Sequence, residues 1–237
     1  IQEAVCEVHF VHPKPLSQQE ITQMGEHWKK DYPQQQVVEE KALRLEIALG
    51  KSQTSEEVLG HKLLARSNDG KDIVQLGASL LAVNRLPPYA GWEETFREVI
   101  QQRFREAFSV FGFSAISRLN LRYINRIEVP ESPLVWRRWF MTAPPIPVSL
   151  AGEPQFFQSQ TQLPLVDDLV ATINFSTIPG ASKPIVMLDI DVLWQGKIPI
   201  EGLASALDKV HLPHNVLFES YLTDSLRAVF DLSLIHI

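Results

Sequence analysis

The run SRLNLRYINRIEVP, Ser117–Pro130, alternates between its two sets of side chains almost without a break. Successive side chains in a β-strand point to opposite faces, so a period of two fits a long strand and does not fit a helix. One face carries Arg118, Asn120, Arg122, Ile124, Arg126 and Glu128, and the other carries Leu119, Leu121, Tyr123, Ile127 and Val129. PIVMLDIDVLW places Asp189 and Asp191 on one face by the same rule, and AVCEVHFV sets Glu7 and His9 against Ala4, Cys6, Val8 and Phe10. Strands that bury one face need neighbouring strands beside them and helices over the apolar side.

The segments between these strands have the required patterns. After Pro13 and Pro15, Ser17 and Glu20 form a predicted capping box, with Ile21, Met24 and Trp28 on one helical face and Pro33 as the stop. VVEEKALRLEIAL reads as a strand with Leu43, Leu45 and Ile47 inward, and GHKLLARSNDGKDIVQLGASLLAVNRL as strands around a turn at Asn68-Asp69-Gly70. A helix is expected from Trp92 along Phe96, Val99, Ile100, Phe104, Ala107, Phe108 and Phe111, ended by Gly112. The second part repeats the order: the Arg-rich strand, a short helix at PLVWRRWFM, three strands, and closing helices in IEGLASALDKV and NVLFESYLTDSLRAVF joined by a turn at HLPHN. The last helix is expected to run through Phe218, Leu222, Leu226, Val229 and Phe230.

The expected fold is therefore α+β. It has two similar β-α-β-β-β-α halves, 1–115 and 116–231, sharing a mainly antiparallel sheet with helices on one face. The final LSLIHI, 232–237, abandons the helical pattern and translates one frame of a transposon-end adapter sequence, so it reads as a non-native tail. Ile1 in place of a start methionine reads as a trimmed N-terminus.

Composition narrows the function classes. A 45% hydrophobic chain of 237 residues can bury a sizeable core. Its 22 basic and 28 acidic residues leave a net charge of −6, which argues against a general binder of nucleic acid or anionic membrane. One cysteine, Cys6, rules out an internal disulfide and fits a reducing, cytoplasmic setting. No apolar run approaches the roughly 18 residues of a membrane span. The nucleotide-loop, zincin and nucleophile-elbow motifs are all missing from the sequence.

LGASLLAVNRLPPYAGWEETF followed by LNLRYINRIEVP resembles a sporadically distributed family of uncharacterised prokaryotic proteins. Further matching features are EAVCEVHF, MLDIDV and LFESYLTDSLRAVF, so the resemblance spans nearly the whole chain; His9 stands where the family often has a basic residue. The resemblance implies a setting in prokaryotic defence or mobile elements and no particular chemistry.

Several residue groups could carry function. Arg122 and Arg126 could grip an anionic ligand with their planar forks, or could pair with carboxylates on adjacent strands. Asp189 and Asp191 could hold Mg²⁺ or Mn²⁺. His211 and His214, with Asp208 and Glu219 near in sequence, offer zinc-type ligands, although His214 or Asn215 could simply cap a helix. Trp136 and Trp139, interleaved with Arg137 and Arg138, could stack on bases or could be core. In NRLPPYAGW, Asn84, Arg85, Tyr89 and Trp92 read as a loop seated at a helix start, whose dipole Glu93 and Glu94 complement. Cys6 reads as packing. Taken together, these point to a non-enzymatic ligand-binding or protein-interaction protein. Its ligand-binding residues are Arg122, Arg126, Asn125 and Tyr89, and its partner is an anionic small molecule or another protein. No catalytic residue, metal or cofactor is assigned, and nucleic acid is not an expected partner. The alternatives are a metal-dependent enzyme using Asp189 and Asp191 and a nucleic-acid binder using the Trp-Arg cluster.

Overall fold

Each long period-two run forms a strand in the computed structural model, which describes residues 1–48, 51–145, 154 and 156–230. The strands are β1 (Glu3–Val11), β2 (Gln34–Ala48), β3 (Lys51–Arg66), β4 (Asp72–Leu76), β5 (Leu80–Arg85), β6 (Ala115–Glu128), β7 (Gln158–Pro164), β8 (Leu169–Ile178) and β9 (Ile185–Ile198). The helices are α1 (Gln18–Trp28), α2 (Arg97–Phe111), α3 (Trp136–Trp139), α4 (Leu203–Tyr221) and α5 (Asp224–Val229). The nine strands form a sheet in the order β2-β3-β4-β5-β1-β6-β9-β8-β7, and β2–β3, β3–β4, β4–β5, β7–β8 and β8–β9 pair antiparallel. Residues Ile1–Ala4, Asn120–Gln195 and those from Ala204 onward form one compact unit; Val5–Leu119 with Gly196–Leu203 form another.

In the unit of Val5–Leu119, α1 begins at the predicted capping box. Ser17 Oγ accepts the Glu20 N–H at 3.3 Å, and the Glu20 carboxylate accepts the Ser17 N–H at 2.8 Å. Ile21, Met24 and Trp28 are buried, as their spacing predicts. The helix lies close to β2 and β3: a Cβ at Gly25 would come within 2.9 Å of Gln35 Oε1 and 3.3 Å of Leu63, so a larger residue there would have to push these side chains aside. A π-helical turn at Trp92–Phe96 precedes α2, and Gly112 closes α2 in the left-handed conformation. Arg103, only 6% exposed, donates to Asp31 at 2.8 Å and to Glu106 at 2.9 Å; Glu106 also accepts the Trp28 indole N–H at 2.7 Å. This buried network ties α2 to the end of α1.

Four strands, not three, follow α1. The stretch expected to be strands around one turn makes a second reversal at Gly77, whose N–H bonds the Leu80 carbonyl at 2.8 Å, so β4 and β5 are separate. The side chains of Leu43, Leu45, Ile47 and Glu94 and the tail 232–237 lie outside the described residues.

In the other unit, Ala171, Ile173 and Phe175 of β8 and Leu188, Ile190 and Val192 of β9 face inward. Phe175 is the hub of an aromatic cluster, with ring centroids 5.5 Å from Trp136, 5.2 Å from Phe140, 6.2 Å from Phe157 and 5.4 Å from Tyr221. The expected turn at HLPHN is absent: α4 runs unbroken from Leu203 to Tyr221 with Pro213 inside it. Proline removes the bond to the carbonyl four residues back, that of Lys209, and Lys209 sits on the exposed side where water can replace the lost donor. The chain breaks later, at Leu222–Thr223, where Thr223 caps α5 by accepting the Leu226 N–H at 3.4 Å. Neither His214 nor Asn215 caps a helix.

Phe175→Ala should cost about 3–5 kcal/mol, because it empties the middle of this cluster. A urea titration followed by near-UV dichroism checks it. An unchanged midpoint with an unchanged aromatic signal would contradict the hub role.

Candidate functional site

The outer, polar face of β6, β9 and β8 brings the sequence-predicted charged residues together. Asn174 of β8 stands opposite Asp189 of β9, and Thr172 opposite Asp191. Arg122 donates from Nε to Asp189 Oδ1 and from Nη2 to Asp189 Oδ2, both at 2.7 Å, in a two-pronged pair. Asn174 Nδ2 donates to Asp189 Oδ2 at 3.0 Å, and Gln160 of β7 donates to Asn174 Oδ1 at 2.8 Å. A continuous polar ladder thus crosses four strands. One register step along, Asn120 Nδ2 donates to both Asp191 oxygens at 3.2 and 3.1 Å. The bond to Asp189 is the main cause that raises the Arg122 pKa above its ordinary value; burial opposes it, and the charges of Asp189, Asp191 and Glu3 add to it.

The four residues predicted to bind ligand take different environments. Arg122 is engaged by Asp189. Asn125 lies on the opposite face of β6, 5% exposed, and donates to the Leu188 carbonyl at 3.0 Å and the Tyr123 carbonyl at 3.3 Å. The parity of its position, shared with Tyr123 and Ile127, already carries that information. Arg126 is exposed and meets Glu128 at 3.7 Å, while Glu128 also takes Lys183 at 3.2 Å. Tyr89 belongs to the other unit, where its half-buried ring stands edge-on to Phe96 at 5.9 Å. In the same unit Asn84 is buried and accepts from Gln75 at 3.0 Å, and Arg85 pairs with Asp72. Near Lys183 lies a cleft of about 280 Å³ whose lining includes Pro133, Leu134, Ile178, Lys183 and Pro184. No sequence pattern marks it, since its walls come from segments far apart in the chain: Ser132–Leu134, Pro154 and residues 177–185.

The remaining candidates take structural positions. His214 is 2% exposed and donates from Nε2 to the Ile190 carbonyl at 3.0 Å, with its ring perpendicular to Tyr123 at 4.3 Å. Burial pushes its pKa down to about 3, and that of His211 to about 4. Glu219 accepts from Arg227 at 2.9 Å. Among the described residues no three His, Cys, Asp or Glu side chains cluster as metal ligands would. Trp136 and Trp139 are buried at 1% and 5% exposure, too deep to stack on bases. Glu131 accepts from the Trp139 indole at 3.0 Å and from Arg138 at 2.9 Å, and Arg138 lies over the Trp139 ring at 4.9 Å. Burial is the main cause that lowers the His9 pKa, the Arg118 charge lowers it further, and Glu7 opposes both. Cys6 is 1% exposed.

No family model matches the chain, and no curated protein matches it significantly. Among the described residues no helix is long and apolar enough to cross a membrane.

His214 and His211 stay neutral in the fold but can take up protons once the chain unfolds. Their depressed folded values make stability complete above the unfolded value near 6.5 and make it fall as the pH drops toward about 4. Urea midpoints measured from neutral pH to about pH 4.5 should decline more steeply for the wild type than for His214→Gln. Parallel declines would contradict a buried neutral imidazole.

Proposed function

We propose that the protein is a non-enzymatic ligand-binding or protein-interaction protein whose contact surface is centred on Arg126. The observation that carries this reading is the charge balance at the end of β6. Among the described residues, two exposed cations, Arg126 and Lys183, share the carboxylate Glu128 at 3.7 and 3.2 Å, and Lys183 lines the cleft of about 280 Å³. Among these described groups two cations face one carboxylate, which favours a small anion as the further partner. Arg122 contributes to the same face as an anchor, because both its prongs are held by Asp189. The metal-enzyme alternative is less well supported: the Asp189 oxygens accept from Arg122 and Asn174, and those of Asp191 from Asn120.

The duplication of β-α-β units belongs to this proposal. In each half the first strand lies beside the last strand of its own half, β1 beside β5 and β6 beside β9, with the others following outward in reverse order. A defence or mobile-element setting belongs to the same proposal, and its support is the resemblance to sporadically distributed prokaryotic proteins.

The gently purified protein should retain an anionic small molecule in native mass spectrometry. The double variant Arg126→Ala, Lys183→Ala should lose it while its stability stays within about 0.5 kcal/mol of the parent. A wild type of bare chain mass, or a ligand that survives the double variant, would overturn the reading.

A further inference from the structure

The two edges of the nine-stranded sheet are built differently. The β2 edge carries Glu39, Glu40, Lys41, Arg44 and Glu46 in sequence, and its pairing register shifts between Glu40 and Lys41. Charges and bulges of this kind keep a strand edge from recruiting another strand. The β7 edge has neither: from Pro154 to Val166 the sequence contains no charged residue. Every residue of β7 from Gln160 to Pro164 is exposed, and Phe156 and Val166 flank the strand at 59% and 77% exposure.

The backbone of β7 is also set out for pairing. The Thr177 N–H donates to the Phe157 carbonyl at 2.9 Å, and the Leu165 N–H to the Leu169 carbonyl at 2.8 Å. In an antiparallel pair the hydrogen-bonded positions alternate, so Ser159, Thr161 and Leu163 belong to the set that faces β8. The N–H and C=O groups of Gln158, Gln160 and Gln162 therefore point to the open edge. Pro164 falls in the same outward set, has no N–H, and closes the row.

We infer that β7 is a self-association edge that pairs antiparallel with β7 of a second copy of this chain about a two-fold axis at Gln160. In that register Gln160 faces its own copy and Gln158 faces Gln162 of the second copy, giving about six backbone hydrogen bonds. An isologous contact sets the residue on the axis against its own copy and its neighbours against one another in reciprocal pairs. A charged strand would repel its copy there, whereas the Gln-Ser-Gln-Thr-Gln sequence is neutral and its side-chain amides can both donate and accept. Phe156 meets Pro164 of the second copy at each end, which gives the exposed ring a cover. This edge is independent of the anion reading and does not use Arg126 or Lys183.

Sedimentation equilibrium of the full chain across the micromolar range is the test. The wild type is expected to form a reversible species of twice the chain mass. Gln160→Pro removes the outward N–H together with the side-chain amide that bonds Asn174, and Gln160→Lys sets two like charges on the axis. Both should be monomeric with unchanged far-UV dichroism; if the proline variant misfolds, the lysine variant decides. Gln36→Lys on the β2 edge should leave the dimer intact. A wild type that is monomeric throughout, a dimer that persists in Gln160→Lys, or a dimer lost in Gln36→Lys would overturn the inference.

Discussion

Four consecutive residues of β9, Leu188 to Asp191, hold the unit around them together, because each accepts hydrogen bonds from side chains elsewhere in the chain. The Leu188 carbonyl takes Asn125, the Asp189 carboxylate takes Arg122 and Asn174, the Ile190 carbonyl takes His214, and the Asp191 carboxylate takes Asn120. Bonds therefore arrive from β6, β8 and α4. A one-residue slip of β9 would turn Asp189 toward the helices and Leu188 or Ile190 toward water, so the polar ladder and the apolar face fix the same register. Asp189 is only 8% exposed, and such a carboxylate would be costly without the two-pronged guanidinium and the amide beside it.

This arrangement explains why β6 carries several guanidinium groups. Arg122 answers a carboxylate on the next strand and is used in holding the sheet. Arg126 sits near the strand end, and among the described residues its partner Glu128 is shared with Lys183. The same residue type thus pairs two-pronged with a carboxylate on the next strand in the middle of β6 and shares a carboxylate with a lysine at its end. The difference lies in which carboxylates the neighbouring strand and loop present.

Period-two patterning made β1, β6 and β9 legible in the sequence, and Ser17, Glu20 and Gly112 marked helix ends correctly. These signals are local, so they survive without knowledge of the partners. The Arg122–Asp189 pairing was visible only as one of two options, since a sequence shows that two rows exist but not that they are adjacent. Asn125 was grouped with the arginines although its parity puts it among the buried residues. The proline in HLPHN favours a turn, yet α4 continues through Pro213 because the carbonyl it strands belongs to the exposed Lys209. The cleft beside Lys183 depends on segments far apart in the chain coming together, and no local pattern encodes that.

The most direct measurement is a double-mutant cycle between Arg122→Ala and Asp189→Ala, read from equilibrium unfolding of the two single variants and the double variant. If this pair fixes the β6–β9 register, the two losses should overlap with a coupling of about 0.5–3 kcal/mol, because either single change leaves the other charge unmatched. Strictly additive losses would contradict it, and would mean that the register is set by the apolar face alone.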